Sequence, residues 1–189
     1  MRRFVLQSND LKTFDSQDAD DHMKLLFPPA GSTEPVLPLR TLDGLQTPEG
    51  EIPSQRRDFT PRAFDRETGT LTVDFYRHGG GPAGDWAETA TIGSKLGILG
   101  PRGSKVTIGG IDSYLLIGDE TALPSIARRL GELPAGTRVV ALIEIDGAGD
   151  ECAIDTAADL TLTWLYRNGA APGTTKLLED AVRALPKPN

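Results

Sequence analysis

Arg57-Asp58-Phe59-Thr60-Pro61-Arg62, followed after one strand-like run by His78-Gly79-Gly80-Gly81-Pro82-Ala83-Gly84-Asp85-Trp86-Ala87, decides what kind of fold this chain can adopt. The first segment sets an aromatic ring and a hydroxyl between two guanidinium groups. The second opens a helix behind three glycines and a proline, and proline suits the first helical turn because its missing N–H would have had no partner there. Glycine lets the backbone approach an anion, which free amides and the helix dipole then favour. A planar isoalloxazine with a diphosphate tail needs an apolar platform, a hydrogen-bonding group at its reactive nitrogen and positive charge near its phosphates. Arg57, Phe59, Thr60 and Arg62 offer all three. If the segment is extended, Arg57 and Phe59 share one face and Asp58, Thr60 and Arg62 the other.

Each motif also has a plainer reading. R-x-F-T-x-R on its own fits a solvated, charged edge strand. The glycine-proline run fits an ordinary strand-to-helix turn with Trp86 in the core, and His78 fits the end of a strand. The two motifs in this order, separated by one strand, are more specific than either alone.

Working outward, Leu71-Thr72-Val73-Asp74-Phe75-Tyr76 alternates with a period of two, which predicts a strand with one wet face, entered through the Thr68-Gly69 turn. Arg3–Leu6 and His22–Phe27 read as further strands, and so do Lys95–Leu99 and Lys105–Ile108 on either side of Gly100-Pro101-Arg102-Gly103. Residues 28–53, rich in proline and glycine, read as an irregular surface loop. Short strands with frequent turns predict a small antiparallel barrel. After it the rhythm changes. Ser113–Gly118, Arg138–Ile145 and Leu160–Tyr166 are apolar runs expected to be buried on both faces, alternating with helical spacing over Thr121–Leu133 and Lys176–Leu185. That pattern predicts parallel βαβ units. The expected organisation is a flavin-type barrel over 1–109 and a nucleotide-binding α/β domain over 110–189, the latter reading as unfinished after three strands. Gly118-Asp119-Glu120-Thr121 falls at the carboxyl end of the first parallel strand, where nucleotides bind in such sheets, and Thr121 could cap the helix or face a ligand. G-x-G-x-x-G is missing there, which argues for a transient rather than a tightly held dinucleotide.

Composition narrows the rest. Among 189 residues, 20 Lys and Arg are scattered among 27 Asp and Glu for a formal charge of -7, which argues against a nucleic-acid partner. Cys152 is the only cysteine and there are two histidines, so no internal disulfide or thiolate metal cage forms within the chain and redox chemistry has to come from a cofactor. No apolar run approaches a membrane span, and Met1–Ser8 turns polar too quickly for a secretory signal, so a cytoplasmic location is expected.

With these residues in place, the chain resembles the siderophore-interacting proteins, bacterial FAD-dependent ferric-siderophore reductases of the ferredoxin reductase superfamily. The resemblance rests on D-H-M-K-L-L-F-P at Asp21–Pro28, R-D-F-T-P-R, G-P-A-G-D-W-A, G-P-R-G-S at Gly100–Ser104 and G-D-E-T-A-L-P at Gly118–Pro124. It implies a six-stranded-type antiparallel flavin-binding barrel followed by an NAD(P)H-binding α/β domain. It further implies that Arg57, Phe59 and Thr60 hold the flavin ring and ribityl chain, Phe59 standing where tyrosine is usual. Arg62, His78 and Gly81, Pro82 and Ala83 would meet the diphosphate, and Lys24 and Arg102 would attract an anionic ferric siderophore; Trp86 and Thr121 join the cofactor-binding candidates from their own motifs. NAD(P)H or a ferredoxin-type protein would donate electrons. The family's first barrel strand and its C-terminal A-G-E region have no counterpart here, which suggests a fragment or a shortened relative. A general NAD(P)H-dependent flavin or ferric reductase, and a non-catalytic flavin- or siderophore-binding fragment, remain alternative readings.

Overall fold

The computed structural model describes residues 1–76, 80–101, 103–107 and 109–186. The chain divides into two compact units, Met1–Lys105 and Val106–Asn189.

In the first unit, β1 (Arg2–Gln7) pairs antiparallel with β7 (Thr70–Phe75), which pairs with β6 (Ala63–Asp65). A second sheet places β2 (Met23–Phe27) between β5 (Gln55–Phe59) and β8 (Gly97–Leu99), again antiparallel. Both sheets turn their apolar faces to one core of Leu11, Met23, Leu25, Phe27, Leu71, Val73 and Phe75. This is the expected antiparallel barrel type. The helix α1 (Gly81–Thr89) buries Ala87 and packs against β2, β5 and β7. The β6–β7 connection requires glycine at 69: φ is +65°, and a Cβ there would lie 2.4 Å from the Ser8 carbonyl oxygen. The close approach is used, because Ser8 N–H donates to the Gly69 carbonyl at 3.0 Å and so ties the end of β1 to that turn.

The second unit is a parallel sheet in the order β11-β10-β9, built from β9 (Ser113–Asp119), β10 (Arg138–Ile145) and β11 (Asp159–Tyr166). The helix α2 (Leu123–Glu132) packs on β9, and α3 (Leu177–Ala184) packs on β10 and β11. The helix α2 lies so close to β9 that a Cβ on Gly118 would stand 2.4 Å from that of Ala122. No described helix is long and apolar enough to cross a membrane.

Four expectations are corrected. Residues 28–53 are not wholly irregular: β3 (Leu39–Thr41) and β4 (Gly44–Gln46) form a hairpin, because Asp43-Gly44 supplies turn chemistry and Gly44 takes φ +111°. Lys105–Thr107 carries no strand. The runs in β9 and β11 are not buried on both faces, since both strands are edges of this sheet, Leu115 and Ile117 of β9 being 47% and 42% exposed and β11 holding no fully buried residue, and only the central β10 is almost wholly buried. The outer face of β7 is not wet at Asp74, which is buried because two arginines reach it.

Candidate functional site

Strand β5 and helix α1 adjoin in the first unit, so the two decisive motifs meet. Arg57 is exposed on β5; its guanidinium donates to the Arg56 carbonyl at 2.9 Å and has no acidic partner among the described residues. Phe59 is half-buried and turned onto the core, its ring centroid 4.3 Å from that of Phe75 and 6.3 Å from that of Phe27. It therefore anchors the end of β5 on the core, as an aromatic side chain with much area to bury should. Thr60 follows, half-buried, and its hydroxyl makes no hydrogen bond among the described residues.

Arg62 belongs to a separate constellation. Its backbone N–H donates to Thr72 O at 3.0 Å, and its Nε stands 3.8 Å from Asp74 Oδ2. Arg3, directly across β1 from Asp74, grips the same carboxylate with two donors at 2.6 and 2.7 Å. One buried anion thus serves two guanidinium groups.

Gly80 and Gly81 carry φ of +85° and +80°, and they turn the chain into α1. Gly80 caps the helix without a side-chain bond, the first turn holds no acidic residue, and a Cβ on Gly81 would meet nothing within 4 Å. Open helix-start amides with no carboxylate in the first turn, on a helix adjoining the strand whose Arg57 has no acidic partner among the described residues, form a donor set that fits a diphosphate. Pro82 and Ala83 are half-buried behind them, Ala83 against the core. Trp86 faces the same core, stacked on Phe75 at 5.7 Å and tilted against Phe4 at 4.9 Å.

Lys24 does not stand alone. Its Nζ donates to Asp58 Oδ1 at 2.6 Å across the β2–β5 ladder. His78 and Arg102 lie outside the described residues.

In the second unit, the Asp119 carboxylate accepts from both the Thr121 N–H, at 2.8 Å, and its hydroxyl, at 2.6 Å. Thr121 is therefore held by Asp119, and the residue that caps α2 is Ala122. At the carboxyl ends of the three strands lies a feature the sequence did not announce. Arg167, 1% exposed in its side chain, forms a two-pronged pair with Glu120 and stands 3.6 Å from Glu144. Glu144 accepts in addition from the Thr175 hydroxyl at 2.7 Å. Parallel register could have hinted at it, since these residues end or directly follow neighbouring strands. Asp58 was likewise missed, for its partnership with Lys24 needs the β2–β5 register. Cys152 is exposed, just beyond the short helical turn Ala148–Asp150.

Two family models match the chain: the siderophore-interacting FAD-binding domain over residues 1–105, and the siderophore-interacting protein over residues 111–189. The ferric vibriobactin reductase ViuB of Vibrio cholerae is 33% identical over 190 residues, covering 98% of this chain and 68% of that protein. The NADPH-dependent ferric-chelate reductase of Escherichia coli is 38% identical over 147 residues, 76% of this chain and 57% of that one. The crystal structure of a siderophore utilization protein from T. fusca superposes with a TM-score of 0.89 at 42% identity, covering 99% of this chain and 71% of that one.

Proposed function

The chain belongs to the siderophore-interacting protein family, and from that premise we propose that it binds FAD in its first unit and reduces the Fe(III) of ferric siderophores. The observation that carries the reading is that β5, with its exposed Arg57 lacking an acidic partner among the described residues, adjoins α1, with its open start. These two supply positive charge and free N–H groups on adjoining elements, as a diphosphate requires. A bound FAD would supply the redox chemistry that the chain's own side chains lack.

The residues would divide the work as follows. Arg57, which the resemblance gives to the ring and ribityl chain, would instead join the amides at Gly81 and Ala83, Arg62 and His78 in holding the diphosphate, while Pro82 fixes the first turn of α1. Phe59 and Trp86, packed on the core, would keep β5 and α1 in place beside the cofactor. Thr60 offers its unengaged hydroxyl to the rim of the ring. Lys24 and Arg102 draw in the anionic chelate against a chain of net charge -7, a local field prevailing over the whole. Hard siderophore oxygens hold Fe(III) better than Fe(II), so reduction loosens the metal and it leaves.

The second unit, with Thr121 at the carboxyl end of its first parallel strand, would bring the reducing nicotinamide of NAD(P)H, a ferredoxin-type protein being the alternative donor. A cytoplasmic location follows from that supply of reductant. Arg57→Ala tests the reading: losing a charge-assisted contact of about 2 kcal/mol weakens FAD roughly 30-fold, and the purified variant loses its yellow absorbance. Full flavin absorbance in Arg57→Ala would remove the assignment of β5.

A further inference from the structure

The outer face of the β5-β2-β8 sheet carries Lys24 and, directly across the ladder, Asp58; their side chains are 40% and 56% exposed. Residues facing each other across a ladder share a face, so Arg56, opposite Leu26, lies on that face too. On the β8 side Lys24 faces only the apolar Leu99. Among the described residues of these three strands, that face holds two cations and one carboxylate, and the carboxylate sits on the lysine that would meet the chelate.

An exposed pair of this kind is weak enough to open for an incoming ligand. Once opened, the Asp58 charge stays beside the site, and its repulsion grows in proportion to the ligand's own charge. A neutral chelate feels none of it, whereas a trianionic chelate feels three times what a monoanion does. We infer that Asp58 sets the charge selectivity of the substrate site, favouring neutral or weakly charged ferric chelates of the hydroxamate type over trianionic tris-catecholates. The inference rests on the reading of Lys24 as a chelate contact. Asp58 acts through Lys24 and through its field, not on the reacting atoms.

Gallium(III) complexes separate binding from reduction, because gallium keeps the shape and charge of the iron complex but accepts no electron. The FAD-loaded protein is titrated, by flavin fluorescence, with a neutral gallium trihydroxamate and a trianionic gallium tris-catecholate. Asp58→Asn, with Asp58→Ala as a second variant, is expected to raise the trianion-to-neutral affinity ratio about tenfold. In a Lys24→Ala background the same change is expected to raise the ratio by less, since only the field of Asp58 is then removed and no lysine is released. A ratio unmoved in both Asp58 variants, an equal rise without Lys24, or no binding of either complex would overturn the inference. Iron release from the ferric counterparts with NADH and NADPH is measured in parallel. Gallium binding that behaves as expected, with no iron released, would overturn the reductase reading and leave the role of Asp58 standing.

Discussion

Each unit buries an ionic knot, and the two are opposites. In the first, the carboxylate of Asp74 lies between two guanidinium groups, Arg3 and Arg62. In the second, the guanidinium of Arg167 lies between two carboxylates, Glu120 and Glu144. They differ as much in hydration. Arg3 is 59% exposed, so water shares the first knot, whereas all three side chains of the second are at most 6% exposed. Water therefore screens the first and softens the loss of its anion. The second joins the ends of three strands in a place with little solvent, where each partner depends on the others.

The largest expected effect breaks the second knot. Arg167→Met leaves two buried carboxylates uncompensated and costs about 3–5 kcal/mol, read in urea from Trp164 in a Trp86→Phe background. Loss of less than 1 kcal/mol would mean that water reaches the site. Next, Asp74→Asn leaves Arg3 and Arg62 without their anion and costs about 1–2 kcal/mol, since Arg3 regains solvent; Trp86 reports it. A loss as large as that of Arg167→Met would erase the contrast.

Asp21 sharpens the comparison, being a buried carboxylate held by neutral donors. Burial pushes its carboxyl up, but the Ser104 and Ser16 hydroxyls, at 2.6 and 2.9 Å, and the backbone at Asp18 and Gln17 outweigh this and hold it below the ordinary value. A depressed pKa in the folded state contributes stability above the unfolded value of about 3.9, and that contribution is lost as pH falls through the folded one. Ser104→Ala is thus expected to cost about 1 kcal/mol at neutral pH and progressively less below about pH 4. A cost independent of pH would assign the bond to packing instead. The smallest effect is that of salt: near 1 M, the cost of Asp74→Asn should shrink by about 0.5 kcal/mol while that of Arg167→Met stays.

Much of this architecture is legible in the chain because local patterns produce it. The period of two in Leu71–Phe75, the glycine-proline start of α1 and the apolar runs of β10 and β11 each depend on neighbours in sequence. What escaped depends on partners far away. Asp74 alternates as an outward residue, and only Arg3, 71 residues earlier, and Arg62 make it a buried one. The apolar run of β9 says that the strand is apolar, not that it lies at an edge. Phe59 reads as a ring ready for stacking, but the clustering of Phe27, Phe75 and Trp86 turns it toward the core. The β3–β4 hairpin was within reach, since Asp43-Gly44 between Leu42 and Leu45 carries its own turn signal.

The solitary thiol of Cys152 makes the protein its own instrument. A maleimide dye attached there would sit on the second unit with no mutation needed, and energy transfer from it to a yellow cofactor in the first would report their separation through each catalytic cycle.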